Sequence, residues 1–412
     1  MTAVITGAGA VSAFGIGLDA LLCGLALGNS AVGPIRSFDA RSFPVRVAGE
    51  VPVGRIDAAW LTERIGSAPS EPGLLRDRKV SWALLAASEA WRAARCGPEE
   101  QGAWLSLAVG LEQAFLEDFA PLWIDGRIDW SREPADAAVR YRSPVDLCAA
   151  VTARHLGLRG PVVVHASACA AGGLAVAHAA SLIERGAAEI VLCGGADSMV
   201  NPLGVGGFAR LGAPSPRNEP DACRPFDRRR DGLAIGEGAA LFVVESEERA
   251  RRRGAAPLAR ILGWGSTQDG YRATAPRPDG SAARRAMERA LQRARLRPEQ
   301  IGYVNAHGTG TPLNDPAEAR AIRGALGGGV PVSSIKGAVG HLMSASGALE
   351  LAACLLPFQR GLLPGTAHHR ERDPECEIDV IGEAPRAARV EAVLSNSFGF
   401  GGQNVSLVLG AP

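Results

Sequence analysis

The chain has 412 residues, 47% of them hydrophobic, so it can bury a large core in one domain or in two fused halves. Its 44 Lys and Arg residues balance 43 Asp and Glu residues, which gives no general attraction to nucleic acid. Eight cysteines are scattered singly from Cys23 to Cys376, a pattern typical of reduced thiols rather than of disulfides or a zinc site. No basic signal-peptide region precedes Arg36, and glycine and polar residues interrupt the apolar stretches. We therefore expect a cytoplasmic protein with no membrane span, no metal and no nucleic-acid partner.

Predicted strands and helices alternate along the chain. Buried-strand patterns fall at 2–7, 105–110, 162–164, 187–194, 238–245, 257–265, 301–306, 330–334, 389–395 and 404–409. Helical patterns fall at 18–27, over most of 57–100, after Cys169, and at 281–296, 316–325 and 344–356. This alternation predicts α/β layers whose strands are mostly central and buried. The early run GAGAVSAFG has Ser12 where a GxGxxG motif needs glycine, which argues against a dinucleotide site.

The stretch HASACAAGGLAVAHAASLIERG at 165–186 follows a β-branched run and continues as Ala- and Gly-rich helical sequence. A strand therefore ends near Ser167 and a helix begins near Cys169. Unpaired N–H groups and the partial positive charge of a helix N-terminus favour thiolate, the form of cysteine that attacks carbonyl carbon. A lone cysteine is more often a small buried hydrophobe, so this stretch alone leaves both interpretations open.

Three later segments also lie at predicted strand ends, where α/β proteins collect chemistry. His307 follows a buried strand and enters a Gly/Thr loop, a position that favours catalysis over structure. Asp315 is the predicted N-cap of the following helix and Glu318 lies three residues later, so a capping box explains both carboxylates. Lys336 and His341 lie in another strand-to-helix loop. The last segment, LSNSFGFGGQN at 394–404, is a Gly-rich turn that can bring backbone N–H groups and a phenyl ring to a ligand.

A weak internal repeat links the two parts of the chain. A shift of 175 residues places five residues of the Cys169 helix on identical residues of the helix after His341, with Gly172 on Gly347 as one pair. Five matches among common residues are compatible with coincidence. The alternative is a duplicated fold in which each half brings one helix to a shared site.

The motifs SACAAG (167–172), NAHGTGTP (305–312), SSIKGAVGH (333–341) and NSFGFGG (396–402) occur in the order and spacing of a known family. They resemble the β-ketoacyl-acyl-carrier-protein synthases of the thiolase superfamily, specifically the elongating ketosynthases, and the segment 225–239 is similar too. The resemblance implies a thiolase fold, a duplicated five-layered α/β/α/β/α architecture. The expected halves are 1–255, with the nucleophilic cysteine, and 256–412, with a catalytic histidine pair.

The same resemblance implies a role for individual residues. Cys169 would carry the acyl chain, and His307 and His341 would stabilise the enolate formed from malonyl-carrier protein. Lys336 would order this network with Glu350, while Glu318 gives structural support. Further expected contacts with substrate are the phosphopantetheine-facing Thr309 and Thr311, the oxyanion-hole N–H groups of Cys169 and Phe400, the acyl-pocket gate Phe400 and its neighbour Gly399.

Other members of the superfamily differ in residue type. A thiolase needs a second catalytic cysteine late in the chain, and the late turn NSFGFGGQN has none. Chalcone synthases and chain-initiating synthases use Cys-His-Asn, whereas the third position here is His341. The remaining alternative is a non-catalytic partner similar to the chain-length factors, which lack the cysteine.

The substrate prediction depends on a stretch that departs from the family pattern. The family commonly has a Gly/Ser-rich segment after the strand at 105–110, but this chain reads GLEQAF. Gln113 falls where relatives line the acyl tunnel, and an unpaired buried amide would disfavour a long saturated chain. We therefore expect polyketide or polyene synthesis more than fatty-acid synthesis, with no tightly bound cofactor and with substrates carried on phosphopantetheine. The expected partners are an acidic carrier protein, bound by Arg76, Arg78, Lys79 and Arg210, and a second synthase-like chain in a homodimer or heterodimer.

Overall fold

The structure, a computed structural model, describes residues 1–54, 56–69, 72–110, 123–125, 127–129 and 146–412. The strands of this described part are β1 Ala3–Ser12, β2 Gly15–Ile16, β3 Gly33–Pro34, β4 Val47–Gly49, β5 Trp104–Val109, β6 Trp123–Ile124, β7 Arg127–Ile128, β8 Val162–His165, β9 Ile190–Ser198, β10 Ile235–Ser246, β11 Ala259–Gln268, β12 Tyr303–Asn305, β13 Pro331–Ser333, β14 Leu362–Leu363, β15 Asp379–Val380, β16 Arg386–Ala387, β17 Ala392–Gly399 and β18 Gln403–Gly410. Its α-helices are α1 Leu18–Ala26, α2 Ala58–Ile65, α3 Arg78–Ala93, α4 Leu147–Leu156, α5 Ala171–Glu184, α6 Pro202–Leu211, α7 Glu247–Arg252, α8 Ser281–Ala294, α9 Asn314–Leu326, α10 Lys336–Val339, α11 Ser346–Ala353 and α12 Leu355–Arg360.

The strand pairing repeats in the two parts of the chain. The first five main strands (β1, β5, β8, β9, β10) lie in the spatial order β8-β5-β9-β10-β1, and the second five (β11, β12, β13, β17, β18) in the order β13-β12-β17-β18-β11. Numbered within each set, both orders read 3-2-4-5-1. The parallel and antiparallel pairings also correspond. An antiparallel pair between β1 and β11 joins the two sets. The fold is therefore a duplication of one five-stranded unit.

Helices cover these sheets in layers. Helices α5 and α11 contact strands of both sets and one another, so they form a central helical layer. Helix α3 packs on β1, β9 and β10 of the first set, whereas α8 packs on β11, β17 and β18 of the second. The result is the expected α/β/α/β/α arrangement. The predicted boundary at residue 255, between α7 and β11, stays a prediction.

Glycine in the first strand of each set lets the outer helix approach closely. A Cβ on Gly9 of β1 would lie 2.2 Å from the carbonyl oxygen of Ala86 in α3. A Cβ on Gly265 of β11 would lie 2.1 Å from the carbonyl oxygen of Ala286 in α8. Both positions therefore exclude any larger residue, because interiors are packed at crystal density. The two halves therefore have glycine at corresponding positions of their first strand, where the outer helix packs.

Most predicted elements are confirmed with shifted ends, and the main errors concern helix starts. Helix α9 begins at Asn314 with Leu313 before it, so the prediction that Asp315 is the N-cap is wrong. Helical sequence after His341 divides into a 3-10 turn at Met343–Ala345 and the helices α11 and α12. Among the described residues, no helix combines the length and the apolar character needed to cross a bilayer.

Candidate active site

A cavity of about 510 Å³ brings the sequence motifs together. Cys169, His307, His341 and Phe400 all line it. A larger cavity of about 810 Å³ lies beside β3 and β4 and contains none of these residues. We place the site in the smaller cavity because it contains the reactive side chains, which identify an active site better than volume does.

Cys169 occupies the expected turn between strand and helix. Strand β8 ends at His165, a 3-10 turn covers Ala168–Ala170, and α5 begins at Ala171. Ala168 has a φ of +46°, a left-handed conformation that residues with a Cβ rarely adopt. The Cys169 side chain is 7% exposed, and its sulfur accepts a hydrogen bond from the backbone N–H of Phe400. The turn thus places the thiol at the inner wall of the cavity.

Burial raises the pKa of the Cys169 thiol to about 12, and the charge of Asp197 acts in the same direction. The charge of Lys336 and the N–H of Phe400 lower this pKa by less than burial raises it. The thiol of the resting protein therefore keeps its proton at neutral pH. The helix N-terminus, which favours thiolate, does not by itself produce one, because desolvation penalises the anion more strongly.

The Gly-rich turn between β17 and β18 reaches the thiol through its backbone. Gly401 and Gly402 have φ values of +88° and +82°, which only glycine adopts without strain, so this tight turn needs both. A Cβ on Gly399 would lie 3.1 Å from the carbonyl oxygen of Ser167 and 3.3 Å from the nitrogen of Cys169. The small residue at 399 therefore lets the Phe400 N–H approach the cysteine.

His307 follows β12 and is held by Lys336. The Nζ atom of Lys336 lies 3.3 Å from Nδ1 of His307 and also donates to the His307 carbonyl oxygen. The same ammonium group forms an ion pair with Glu350, and both side chains are 1% exposed. Because an ammonium group only donates, Nδ1 of His307 accepts and Nε2 carries the proton.

His341 has the same tautomer from different partners. The backbone N–H of Met343 donates to Nδ1 over 3.1 Å, and Oγ of Ser346 lies 2.7 Å from the same nitrogen. An N–H donor requires a lone pair on Nδ1, so the proton is on Nε2. The rings of His341 and His307 are 5.4 Å apart between centroids and nearly perpendicular.

Burial holds the pKa of both His307 and His341 well below the usual value, and the nearby Lys336 charge lowers both further. Both imidazoles are therefore neutral at physiological pH. Both residues line the cavity that also contains Cys169, and the Nδ1 atom of each already has a donor. Two neutral Nε2–H donors in one cavity with a thiol can stabilise an oxyanion that forms during reaction.

Two buried carboxylates hold the His307 loop in place of the predicted capping box. Glu318 accepts from the backbone N–H groups of His307 and Gly308, over 2.8 and 2.7 Å. Asp315 accepts from the N–H of Phe226 over 2.7 Å and from Gly310. Both carboxylates therefore accept from backbone N–H groups outside their own helix rather than capping its first turn. Burial raises the pKa of Glu318 to about 7, opposed by those two N–H donors.

Glu350 has a similar environment. Burial raises its pKa to about 7, and the adjacent Lys336 charge opposes this rise.

Thr309 and Thr311 line the cavity that contains Cys169, and their hydroxyl oxygens are 2.9 Å apart. Thr311 also accepts from the backbone N–H of Asn314. The threonine pair is thus fixed at the wall of the cavity that contains Cys169.

Two of the four cations expected to bind a carrier protein are not available for docking. Lys79 is 1% exposed and forms an ion pair with Asp77 over 3.0 Å, so its assignment to a docking surface is wrong. Arg78 is mostly buried and contacts the fully buried Glu237 over 2.9 Å. Arg210 is exposed in the last turn of α6, next to the cavity-lining residues at 211–213. Arg76 is half-buried.

Sequence reasoning missed two residues that shape the histidine wall. Asp197 at the end of β9 accepts from the backbone N–H and the hydroxyl of Ser344, over 2.9 and 2.7 Å, and so fixes the turn that contains Met343. The signal was a carboxylate at the end of an otherwise apolar strand. Ser346, the partner of His341, had no comparable signal because serine is common at the start of a helix.

Gln113, the residue on which the substrate prediction depends, lies outside the described residues. Among the described residues, no group of three or more His, Cys, Asp or Glu side chains is arranged to hold a metal ion. The predictions of no metal and no tightly bound cofactor stay predictions.

Residues 2–250 match the family described as "Beta-ketoacyl synthase, N-terminal domain", and residues 258–370 match "Beta-ketoacyl synthase, C-terminal domain". The chain belongs to the β-ketoacyl synthase family. It is an acyltransferase of the ketosynthase type, and its fold is the thiolase fold.

Similar curated proteins come from two pathways. The "3-oxoacyl-[acyl-carrier-protein] synthase 2" of Synechocystis sp. is 36% identical, over 98% of this chain and 96% of its own length. The "Tetracenomycin polyketide synthase ketoacyl synthase alpha subunit" of Streptomyces glaucescens is also 36% identical, over 99% of this chain and 97% of its own length. Sequence identity to these relatives therefore does not decide between fatty-acid synthesis and polyketide synthesis.

Solved structures of β-ketoacyl synthases match over the whole chain. "The ishigamide ketosynthase/chain length factor" has a TM-score of 0.88 and 33% identity, covering 100% of this chain and 99% of that one. A β-ketoacyl synthase from Burkholderia phymatum has a TM-score of 0.89, 33% identity and the same coverage. The complex "AntDE:AntF (apo): type II PKS acyl-carrier protein in complex with its ketosynthase bound to the hexaketide" has a TM-score of 0.86 and 28% identity, with the same coverage.

Proposed function

We propose that this ketosynthase is catalytic and joins a Cys169-bound acyl chain to malonyl-acyl-carrier protein by decarboxylative Claisen condensation. The observation that carries the proposal is that one cavity is lined by Cys169 and by two neutral histidines, His307 and His341, whose Nδ1 atoms accept from other groups so that Nε2 carries the proton. A nucleophile beside two oxyanion donors is the arrangement that acyl transfer and enolate formation need.

In the first step Cys169 takes the acyl group from a carrier-protein thioester. The sulfur forms a bond to the acyl carbonyl carbon and the bond to the phosphopantetheine sulfur breaks. The proton lost by the Cys169 thiol ends on the departing phosphopantetheine thiol. We assign the oxyanion of this step to the backbone N–H groups of Cys169 and Phe400, and the Phe400 N–H already donates to the resting sulfur.

In the second step malonyl-carrier protein loses carbon dioxide. The electron pair of the breaking C–C bond moves into the malonyl thioester and forms an enolate, whose oxygen accepts from Nε2–H of His307 and of His341. The enolate carbon then attacks the acyl carbonyl on Cys169. Collapse of the tetrahedral intermediate expels the cysteine thiolate, which regains a proton, and leaves a β-ketoacyl chain on the carrier protein. Lys336 keeps Nδ1 of His307 in the accepting state throughout.

The proposed partner is an acidic carrier protein whose phosphopantetheine arm passes Thr309 and Thr311. Arg210, exposed beside the cavity-lining end of α6, is the retained docking candidate. One of the similar structures is of a carrier protein in complex with its ketosynthase, and another is of a ketosynthase/chain length factor. A homodimer or a heterodimer with a second ketosynthase-like chain is the proposed assembly.

For the pathway we propose type II polyketide or polyene synthesis, supported by the type II polyketide complex among the similar structures, by the similar tetracenomycin subunit and by the polar Gln113. Fatty-acid elongation is the alternative pathway. A non-catalytic chain-length-factor role is the alternative function, which the presence of Cys169, Lys336 and both histidines argues against.

Intact-mass analysis after incubation with a panel of acyl-carrier thioesters tests the proposal. We expect the wild type to gain one acyl mass and the Cys169→Ala variant to gain none. Equal labelling of both proteins would overturn the nucleophile assignment. Best loading of short, polar or unsaturated chains is expected, and best elongation of long saturated chains would replace the polyketide assignment with fatty-acid synthesis.

A further inference from the structure

His341 has two hydrogen-bond partners on one ring nitrogen. The Met343 backbone N–H lies 3.1 Å from Nδ1 and the Ser346 hydroxyl oxygen lies 2.7 Å from it. An imidazole nitrogen without a proton has one in-plane lone pair, so both donors share it. The shorter contact belongs to Ser346, the first residue of α11, whose side chain is 2% exposed.

The direction of the serine contact follows from the backbone contact. A proton on Nδ1 would face the Met343 N–H across 3.1 Å, and two donors cannot share a hydrogen bond. Nδ1 therefore accepts, and the Ser346 hydroxyl has to donate to it. His307 has its tautomer set by an ammonium group, whereas His341 depends on one backbone N–H and one hydroxyl.

We propose that Ser346 is a positioning residue, whose hydroxyl holds the His341 ring with its Nε2–H directed into the cavity for malonyl decarboxylation. The proposal rests on the proposed function for the reaction, but the assignment of the tautomer does not. Ser346 touches no substrate in this arrangement and acts only through His341. A fixed donor stabilises the forming enolate without reorganisation, which is the source of most oxyanion stabilisation.

The test compares Ser346→Ala, which removes the donor, with Ser346→Thr, which keeps it. We expect kcat for malonyl-carrier-protein decarboxylation to fall about three- to tenfold in Ser346→Ala, the effect of one hydrogen bond, with little change in KM. Acyl loading of Cys169 is expected to stay near the wild-type rate. Ser346→Thr should restore most of kcat.

Ser106→Ala is the matched control for the loss of a buried serine-histidine contact. Ser106 is fully buried in β5, and its Oγ lies 2.9 Å from Nε2 of His165, away from the cavity. We expect this variant to show at least as large a thermal cost, because the Ser106 hydroxyl also donates to the carbonyl oxygen of Ala175 over 3.0 Å and lies 3.2 Å from Nδ1 of His178. Its kcat for decarboxylation should be unchanged. A fall of kcat as large as in Ser346→Ala would reduce the Ser346 effect to a packing effect and overturn the proposal.

A second readout is independent of activity. Nitrogen NMR of histidine-labelled protein, with the His341 signal assigned from a His341→Ala sample, reports which ring nitrogen is protonated. We expect the Nε2–H form in all three proteins, because the Met343 N–H fixes it. The Nδ1 signal of Ser346→Ala should be displaced from the position shared by the wild type and Ser346→Thr, because this nitrogen loses one of its two hydrogen-bond donors. An unchanged spectrum in Ser346→Ala would overturn the proposal. Absence of decarboxylation by the wild type would instead refute the proposed function and leave this spectral test in force.

Discussion

Ala168 and Met343 lie 175 residues apart and share a φ of +46°, each at the start of a 3-10 turn that leads into a helix of the central layer. The same shift that was weak in the sequence places Cys169 on Ser344 and Gly172 on Gly347. A strained conformation that recurs at corresponding positions is far less expected by chance than matches among alanine and glycine. The two halves therefore retain one ancestral turn.

The two turns differ in the group that contacts them from the other half. In each case this group lies at the end of the fourth main strand, which is β17 for the Cys169 turn and β9 for the Ser344 turn. The end of β17 brings the Phe400 N–H to the Cys169 sulfur, whereas the end of β9 brings the Asp197 carboxylate to Ser344. An N–H group stabilises an anion, and a carboxylate opposes one and instead accepts from a hydroxyl. One copy of the turn therefore holds the proposed nucleophile, and the other serves as an anchor for the loop of His341.

The largest expected effect comes from moving the thiol between the two turns. The double variant Cys169→Ala, Ser344→Cys should gain no acyl mass from any carrier thioester. Residue 344 is 2% exposed and faces the Asp197 carboxylate, which disfavours a thiolate. Intact mass is the measurement, with Cys169→Ala alone as the control. Acylation of the double variant would show that the two turns are still equivalent.

The second-largest effect distinguishes the two reactions, acyl loading and malonyl decarboxylation, that we assign to the two halves. His307→Ala and His341→Ala should each lower malonyl decarboxylation about 10²- to 10³-fold, the cost of one oxyanion donor, while acyl loading of Cys169 changes much less. Both rates can be followed with the same carrier thioesters, by carbon dioxide release and by intact mass. An equal fall in loading would contradict a division in which the first half loads and the second decarboxylates.

These expectations show where the sequence was informative. Strand-end positions identified Cys169, His307 and His341 because chemistry collects where strands end, and the structure brings all three to one cavity. Local rules failed where a side chain has a distant partner. Asp315 and Glu318 fit a capping box in spacing, yet both accept from backbone N–H groups outside their helix, because buried N–H groups at Phe226 and in the His307 loop need acceptors.

The position of one of the two lysines was also mispredicted. Lys79 and Lys336 are both 1% exposed and paired with carboxylates. The pairing of Lys336 with Glu350 was expected from the resemblance, whereas Lys79 was expected on a docking surface, where most lysines lie, and only the fold reveals that it is buried. The acyl tunnel is the remaining gap, since Gln113 lies outside the described residues.

The third effect tests the environment of the nucleophilic turn. With a thiol pKa of about 12, the thiolate fraction of Cys169 should rise about tenfold per pH unit between pH 7 and 9, because both values lie well below the pKa. The iodoacetamide alkylation rate of Cys169, measured by peptide mass, should therefore rise about a hundredfold over this range. A plateau near pH 7 would mean that the helix N-terminus and the Phe400 N–H outweigh burial.

The smallest expected effect concerns the glycine pair where α5 crosses α11. A Cβ on Gly172 would lie 2.7 Å from the nitrogen of Ala348 and 2.9 Å from the carbonyl oxygen of Ser344. A Cβ on Gly347 would lie 2.4 Å from Oγ of Ser397, and its next contact is backbone. Overpacking costs about 1–3 kcal/mol, which exceeds the roughly 1 kcal/mol that alanine gains over glycine in a helix. Both Gly172→Ala and Gly347→Ala should therefore lower the thermal midpoint.

The two substitutions should differ in how they are relieved. Ser397→Ala removes the atom nearest to the new Cβ at 347, so it should recover part of the loss in the Gly347→Ala background. It should recover none in the Gly172→Ala background, where the obstructing atoms are backbone that no side-chain change removes. Thermal unfolding of the four single and double variants measures both effects, with Ser397→Ala alone as the reference. Equal recovery in the two backgrounds would show that the central helical layer repacks as one unit. The two halves would then still be equivalent where α5 crosses α11, although they differ at Cys169 and Ser344.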